Sequence, residues 1–269
     1  MISSPKTVSV ILPNYNYAKY ISSRTDQILN QTYPVSEIII LDDASTDNSV
    51  DYIKKAVIKI KKTRPEIKVK VVVNRENSGN VFSQWQKGIK LATSDYIWIA
   101  EVDDVARPAL LATAMRAFLE KDAVMSVVSS RFVDQKGHPV VKDNLRRIKD
   151  IFRKNLLVFN TIPNVSAAVF KNQPNLTKFL EIAKKFQLSG DWFFYIKISE
   201  TGKIVYHKKV LNLHRLHSSS VTKSTNLKKR FAEMHAIHQY VLSHKLADAK
   251  TRQQISKAEQ TLKSRWVAE

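Results

Sequence analysis

The chain has 269 residues, 43% of them hydrophobic and 25% charged, and no cysteine. This suits a large globular domain and excludes disorder as the main state, disulfides, thiolate metal sites and cysteine nucleophiles. Lys and Arg outnumber Asp and Glu by 44 to 24, a formal charge of +20, which predicts an anionic partner: a phosphorylated substrate, an anionic lipid surface or nucleic acid. No uncharged apolar run approaches the roughly eighteen residues of a bilayer span and the first six residues lack a secretory apolar core, so a cytoplasmic protein is expected.

In chain order, Val8 to Pro13 reads as a β-branched strand stopped by proline, and Tyr17 to Gln31 as a helix. Val35 to Leu41 is a second strand, closed by Asp42-Asp43. A turn follows in which Thr46 or Asp47 is a plausible N-cap for a basic helix running to about Thr63. Ile67 to Val73 is a third strand, Asn77-Ser78-Gly79-Asn80 a turn and cap, and Val81 to Ala92 a helix. Tyr96 to Ala100 is a fourth strand, running straight into Glu101-Val102-Asp103-Asp104. Strands alternating with helices predict an α/β fold with a mostly parallel sheet.

Past residue 105 the pattern predicts a helix over Leu110 to Lys121, a strand over Ala123 to Val133 and a hairpin turn at Asp134 to Gly137. It then predicts a basic helix over Ile148 to Phe159, a strand over Asn164 to Phe170, an aromatic-rich helix over Asp191 to Glu200, and a strand over Ile204 to Leu213. From Thr222 the chain reads as helix to its end. One apolar stripe there runs Leu227, Phe231, Met234, Ile237, Val241, and another Ile255, Ala258, Leu262, Trp266. This divides the chain into an α/β unit, 1–221, and a basic amphipathic helical tail, 222–269.

In a parallel sheet, ligands sit beyond the carboxyl ends of the strands, where this chain puts Asn14-Tyr15-Asn16, Asp42-Asp43, Asn74 to Asn77 and Glu101 to Asp104. Three carboxylates within four residues cannot share a strand end without a cation. A hard divalent metal, Mg²⁺ or Mn²⁺, takes oxygen ligands and commonly brings a phosphate with it. A solvated acidic turn is the plainer alternative.

Val10-Ile11-Leu12-Pro13-Asn14-Tyr15-Asn16, Gln31-Thr32-Tyr33-Pro34, Glu37 to Asp47, Glu101-Val102-Asp103-Asp104, Ser189-Gly190-Asp191-Trp192 and Leu213 to Ser220 occur in the order found in family 2 glycosyltransferases, which the chain resembles over about residues 7–221. The resemblance implies a GT-A fold and a usually inverting transfer of sugar from a nucleotide diphosphate, with UDP or dTDP favoured, to a glycan or lipid-linked acceptor. It points to bacterial surface polysaccharide such as O-antigen or capsule. It implies that Pro13 and Tyr15 line the base pocket, and that Asp43 accepts a pyrimidine N–H, with Asp42 assisting or capping the turn. Asp104 would bind Mn²⁺ or Mg²⁺, with Asp103 at the ribose or the metal's water shell, and Glu101 is the open position of the motif. Arg215 is implied at the diphosphate and His217 at the metal or phosphate.

Asp191 is the implied general base, in an apolar setting that raises a carboxylate's pKa. Relatives more often carry Glu-Asp where this chain has Gly190-Asp191. After Asn77-Ser78-Gly79 they commonly carry Ala-Arg-Asn-x-Gly, here replaced by Phe82-Ser83-Gln84-Trp85-Gln86-Lys87-Gly88. Asn164, Ser166 and Trp192 are candidates for the acceptor side. Two other functions stay open at this point. The tail, with ten Lys/Arg against four Asp/Glu, suits docking to an anionic membrane or another subunit, as a non-catalytic module would. A nucleotidyltransferase would share the sheet and the acids but needs a glycine-rich phosphate loop after strand one. No nucleic-acid-binding motif is present.

Overall fold

The computed structural model describes residues 6–140, 155–216 and 227–267. Its centre is an eight-stranded sheet in the order β3-β2-β1-β4-β7-β6-β8-β5. The strands are β1 (Val8–Asn14), β2 (Glu37–Asp42), β3 (Lys68–Val73), β4 (Tyr96–Ile99), β5 (Val105–Ala106), β6 (Ala123–Val133), β7 (Ala168–Lys171) and β8 (Lys203–Arg215). The pairs β1–β2, β1–β4, β2–β3 and β6–β8 are parallel, whereas β7 is antiparallel to both neighbours and β5 to β8.

Register brings the strand ends level. Asn14 pairs with Asp42, Asp42 with Val73, and Ile11 with Ile99, so the chain leaving β4 emerges beside Pro13 and Asn14. The apolar runs of β1, β2 and β4 are buried on both faces, as expected for strands covered by helices on each side. β3 lies at the sheet edge with exposed positions, and its Lys68 and Lys70 guard that edge against further pairing.

Alternate residues of each strand feed two cores. Val10, Leu12, Ile38 and Ile40 pack with α1 (Ala18–Leu29), α2 (Ser49–Thr63) and α4 (Leu110–Lys121). Ile11, Ile39 and Leu41 pack with α3 (Val81–Leu91), α5 (Leu176–Ala183) and α6 (Gly190–Ser199). The tail forms two helices, α7 (Leu227–Ser243) and α8 (Ala249–Val267), broken where Lys245 takes a left-handed φ of 56°. Ile237, Val241, Ile255 and Ala258 belong to the same core as Trp192 and Ile11, so these parts of both stripes are spent on packing. Among the described residues no helix is long and apolar enough to cross a membrane.

Several local expectations are corrected. Asn155 to Phe159 form turns rather than the end of a helix: Asn155 Oδ1 accepts the Leu157 N–H at 2.9 Å and its carbonyl those of Val158 and Phe159. The rest of that expected helix lies outside the described residues. Val165–Ala167 is a 3₁₀ turn, and the strand begins only at Ala168. Neither Thr46 nor Asp47 is the N-cap residue of α2, a position held by Asn48. Asp47 still accepts the Ser49 N–H at 2.9 Å, while its other oxygen takes the N–H of Ala18 at 3.1 Å, tying α1 to α2. Helix α5 and the two-residue strand β5 are additions to the expected elements.

Candidate active site

The loops after β1 and β2 are built as one unit. Asp42 is fully buried; it accepts from Asn14 Nδ2 and Ser45 Oγ, both at 2.7 Å, and from the Ser45 N–H at 2.9 Å. It therefore caps the turn and faces away from any ligand. Asn16 crosses at a φ of 57°, which its short polar side chain tolerates, and its Oδ1 takes the N–H groups of Thr46 and Asp47.

Asp43, next in sequence, points the other way. Its Oδ1 accepts from Asn74 Nδ2 at 2.6 Å, Gln84 Nε2 at 2.7 Å and the Ser78 N–H at 3.0 Å, while among the described residues Oδ2 accepts only Ser78 Oγ at 2.7 Å. An ionised carboxylate has about four acceptor positions divided between its oxygens, so Oδ2 retains room for a donor. Beside it lies a pocket of about 410 Å³ lined by Pro13, Tyr15, Tyr17, Asp43, Gln84 and Glu101, among others.

The acidic loop closes the pocket from the β4 side. Glu101 is half-buried; its Oε1 accepts Trp85 Nε1 at 2.7 Å, and its own N–H is held by Ser166 Oγ at 3.0 Å. Burial, then the charge of Asp103, pushes its pKa up to about 8, so at neutral pH Glu101 carries the cluster's proton. Asp104 is buried. Its Oδ1 receives His214 Nδ1 and the Arg215 N–H, each at 3.2 Å, and its Oδ2 the Asn164 amide. Burial alone would raise its pKa, but His214 and Arg24 hold it below the usual carboxylate range. His214, lowered by burial, is raised on balance by Asp104 and Asp103.

Two arginines anchor this loop from within. Arg215 gives Nε to the Asp103 carbonyl at 2.8 Å and Nη1 to the carbonyls of Asp134 and Gln135 at 3.1 and 2.6 Å. Its guanidinium lies 4.7 Å from the Tyr20 ring centre. Arg24 of α1 has no exposed surface. Its pKa is lowered to about 10, burial outweighing the carboxylates of Asp104, Asp103 and Glu101.

Asp191 sits in the first turn of α6. Its Oδ1 accepts the Trp192 N–H at 2.7 Å and its Oδ2 Asn160 Nδ2 at 3.0 Å. Burial lifts its pKa to about 6, a value suited to a general base near neutrality. Trp192 is buried with Nε1 on the Leu156 carbonyl at 2.7 Å. It borders a second cleft of about 620 Å³ together with Asn160, Ser189 and residues of α7 and α8.

The structure thus brings Pro13, Tyr15, Asp43 and Glu101 to one pocket, with Asp103 and Asp104 on the adjoining loop and Asp191 held between Asn160 and Trp192, two residues that line the second cleft. It redirects other expectations. Asn164 and Ser166, expected on the acceptor side, are buried beneath the acidic loop and hold Asp104 and Glu101. Arg215 braces that loop with two of its three guanidinium nitrogens. His217 lies outside the described residues. Trp85 is both a core residue and the Glu101 donor. Residues absent from the expected set are Arg24, Tyr17, Gln84, Asn160 and His214. Arg24 carries a sequence signal, since it falls three residues after Ile21 and four before Ile28, on the apolar face of α1.

The chain resembles known proteins in two ways. In sequence, it is 34% identical over 116 residues to glycosyltransferase GlyG of Streptococcus pneumoniae, covering 43% of this chain and 36% of that protein. It is 26% identical over 224 residues to the hyaluronan synthase of Pasteurella multocida, covering 82% of this chain and 21% of that one. The matched stretches are therefore only a part of these relatives' lengths. In fold, Staphylococcus aureus TarS 1-349 in complex with UDP-GlcNAc superposes with a TM-score of 0.71 at 18% identity, covering 94% of this chain and 71% of that one. The mannosyltransferase PcManGT of Pyrobaculum calidifontis, in complex with GDP-Man and Mn²⁺, gives 0.64 at 20%, covering 97% and 70%; the curled α/β sheet is GT-A-like. Residues 9–173, which include the Asp43 pocket and the acidic loop, match the description Glycosyl transferase family 2, more than half of the chain. A sheet whose strand ends converge on one pocket and a match that spans those same strand ends lead to one conclusion: this chain belongs to glycosyl transferase family 2.

Proposed function

We propose that the chain transfers a sugar, with inversion, from a pyrimidine nucleoside diphosphate donor to a hydroxyl of a glycan or lipid-linked glycan in bacterial surface polysaccharide synthesis. The observation that carries this reading is the remaining acceptor position on Asp43 Oδ2, beside a pocket of about 410 Å³. A uracil or thymine ring N–H is the complementary donor, while Pro13 and Tyr15 supply the apolar walls. Neighbours crystallised with UDP-GlcNAc and GDP-Man support a nucleotide-sugar donor.

Asp191, deprotonated, takes the proton of the acceptor hydroxyl as that oxygen attacks the anomeric carbon. The new carbon–oxygen bond forms as the bond to the diphosphate breaks, and the nucleoside diphosphate leaves with the electron pair. Attack from the face opposite the nucleotide inverts the anomeric centre. Hydrogen bonds from Asn160 and the Trp192 N–H fix the carboxylate in one orientation, which supports this role.

A divalent cation fits the donor set of the acidic loop. Among the described residues no three His, Asp or Glu side chains converge as an all-protein cage, but Mg²⁺ and Mn²⁺ are commonly held by one or two carboxylates plus substrate phosphates. Asp104, with Asp103 and His214 beside it, would hold the ion, and His217 stays a candidate ligand. When bound, the ion would offset charge on the departing diphosphate. The protein would act in the cytoplasm, and its basic charge would suit a peripheral position on the inner membrane face.

A thermal-shift panel of UDP, dTDP, GDP and CMP with and without Mn²⁺ tests the reading. Metal-dependent stabilisation by a pyrimidine diphosphate is expected; indifference to all four nucleotides would overturn it. Stabilisation by GDP alone would replace the pyrimidine with a purine.

A further inference from the structure

We propose that the two C-terminal helices complete the acceptor site, and that the acceptor is a saccharide bearing an anionic group, which Arg230 and Lys257 bind. This rests on the glycosyl-transfer reading above and adds the chemical class of the acceptor.

The cleft of about 620 Å³ runs from Asn160 and Ser189, which flank Asp191, to Arg230 on α7 and Lys257 on α8. Both basic side chains are exposed, and neither has a carboxylate partner among the described residues. No acidic residue among the described ones lines this cleft, and Asp191 lies just beyond its Asn160 end. The carboxylates nearest in sequence are engaged elsewhere. Glu233 accepts the N–H groups of Gln187, Leu188 and Ser189 at 2.8 to 2.9 Å. Glu259 is held by His235 and His238, each at 3.0 Å. Two cations in one cleft, with no counter-charge among the described residues that line it, repel each other, and a bound anion relieves that repulsion.

The remaining lining suits a sugar. Phe159 is 38% exposed and borders the cleft, where the apolar face of a pyranose can lie against it, while Met234 and Ala258 add apolar lining. At one end stands the residue proposed to deprotonate the acceptor, so a saccharide with its hydroxyl at Asp191 extends its next units toward Arg230 and Lys257. Asp191, Arg230, Met234, Lys257 and Ala258 lie beyond the family match, which ends at residue 173, whereas Phe159 and Asn160 lie within it. That placement is where a chain of this family can choose its own acceptor. An anionic lipid surface is disfavoured because the site is concave and several residues of the stripes on α7 and α8 are buried in the core.

The test uses the full chain and three forms of one tetrasaccharide in isothermal titration at 150 mM salt. They are alternating glucuronate and N-acetylglucosamine, its carboxyl-reduced neutral form, and that neutral form phosphorylated at the regenerated hydroxyls. At least one anionic form should bind tenfold or more tighter than the neutral one, and which of the two does so distinguishes carboxylate from phosphate. R230A/K257A, checked for an unchanged melting temperature, should reduce the preference below threefold. K61A/K62A, on the exposed face of distant α2, should keep it. Equal binding of neutral and charged forms, or an undiminished preference in R230A/K257A, overturns the proposal. So does loss in R230A/K257A of binding to phosphatidylglycerol vesicles when no saccharide preference exists. Donor hydrolysis by the native chain is measured in parallel: its presence without anion preference removes only this inference, whereas its absence removes the function beneath it.

Discussion

The guanidinium of Arg24 lies 5.0 Å from the centre of the Trp98 ring, with both side chains fully buried. Nη1 reaches Gln27 Oε1 at 3.3 Å, and neither Nε nor Nη2 has a hydrogen-bond partner among the described residues. An arginine so placed is held by the π face below it and by the field of Asp104 and Asp103. The acidic loop needs a cation whether or not a metal binds, and helix α1 supplies one.

Arg24→Ala should therefore destabilise the fold by about 3–5 kcal/mol, the usual cost of stripping one partner from a buried charge arrangement. Arg24→Lys should recover only part of this, because an ammonium lacks the planar face that stacks on Trp98. Urea denaturation of the three proteins checks it; a midpoint shift worth less than about 1 kcal/mol for Arg24→Ala would show that the acids do not depend on this cation.

The pKa of about 6 for Asp191 has consequences for both activity and stability. A general base works ionised, so kcat/KM should fall tenfold per pH unit below about 6. Asn160 favours the ionised form through its hydrogen bond; Asn160→Ala should move that limb to higher pH. Asp191→Asn should reduce turnover by about 10²- to 10⁴-fold. The stability effect has the opposite sign from that of a salt-bridged carboxylate. With the folded pKa above the ordinary value of about 3.9, the native state binds more protons than the unfolded state between about pH 4 and 6. Stability therefore declines as pH rises through that window, and the penalty persists above it. Asp191→Asn should be at least as stable as the native chain at pH 7 and lose that advantage below about pH 4. Lower stability of the variant at pH 7 would contradict the buried-base assignment.

The strand ends were legible in the sequence because a β-branched run that stops at Asn14, Asp42 or Glu101 has few ways to fold, and a parallel sheet aligns such ends. Side-chain direction was not legible. Asp42 and Asp43 are adjacent and chemically identical, yet one seals a turn and the other faces the pocket, since successive residues at a strand end alternate sides. Asn164, Ser166 and Arg215 belong to motifs near the site but turn inward, because the acidic loop has backbone groups and carboxylates that must be satisfied from below. Strand β5 is two residues long, too short to show a period. Helix α5 carries the helical spacing Leu176, Leu180, Ala183, all buried, so its signal was there to be read.

Asp43→Asn keeps the size of the side chain but replaces one acceptor oxygen with a donor. Its amide cannot serve Asn74, Ser78 and Gln84 and also accept a ring N–H at the vacant position. Losing a hydrogen bond to a charged group costs about 1.5–3 kcal/mol, so affinity for the pyrimidine diphosphate should fall about 10- to 100-fold in isothermal titration. Unchanged affinity would remove Asp43 from the base pocket.

Gly190 departs from the Glu-Asp pair that the family resemblance leads one to expect, and the packing explains why. A Cβ at this position would come within 2.5 Å of the Ala183 carbonyl oxygen and 2.6 Å of the Phe82 ring, so α5 and α6 approach more closely here than any side chain permits. In a helix, Gly→Ala ordinarily stabilises by about 0.5–1 kcal/mol. At Gly190 the collision is with backbone and a packed aromatic ring, which cannot swing aside as a flexible side-chain end would, and overpacking of this kind costs about 1–3 kcal/mol. Gly190→Ala should therefore lower stability. It should also lower turnover, since Asp191 is the next residue and Ser189, just before it, is pinned by Glu233. Gly190→Glu, which restores the commoner family residue, should be worse on both counts. Melting temperature and kcat measured together decide the matter: a Gly190→Ala protein as stable as the native chain would mean that α5 can retreat, and that the absence of Glu here reflects something other than the contact between these helices.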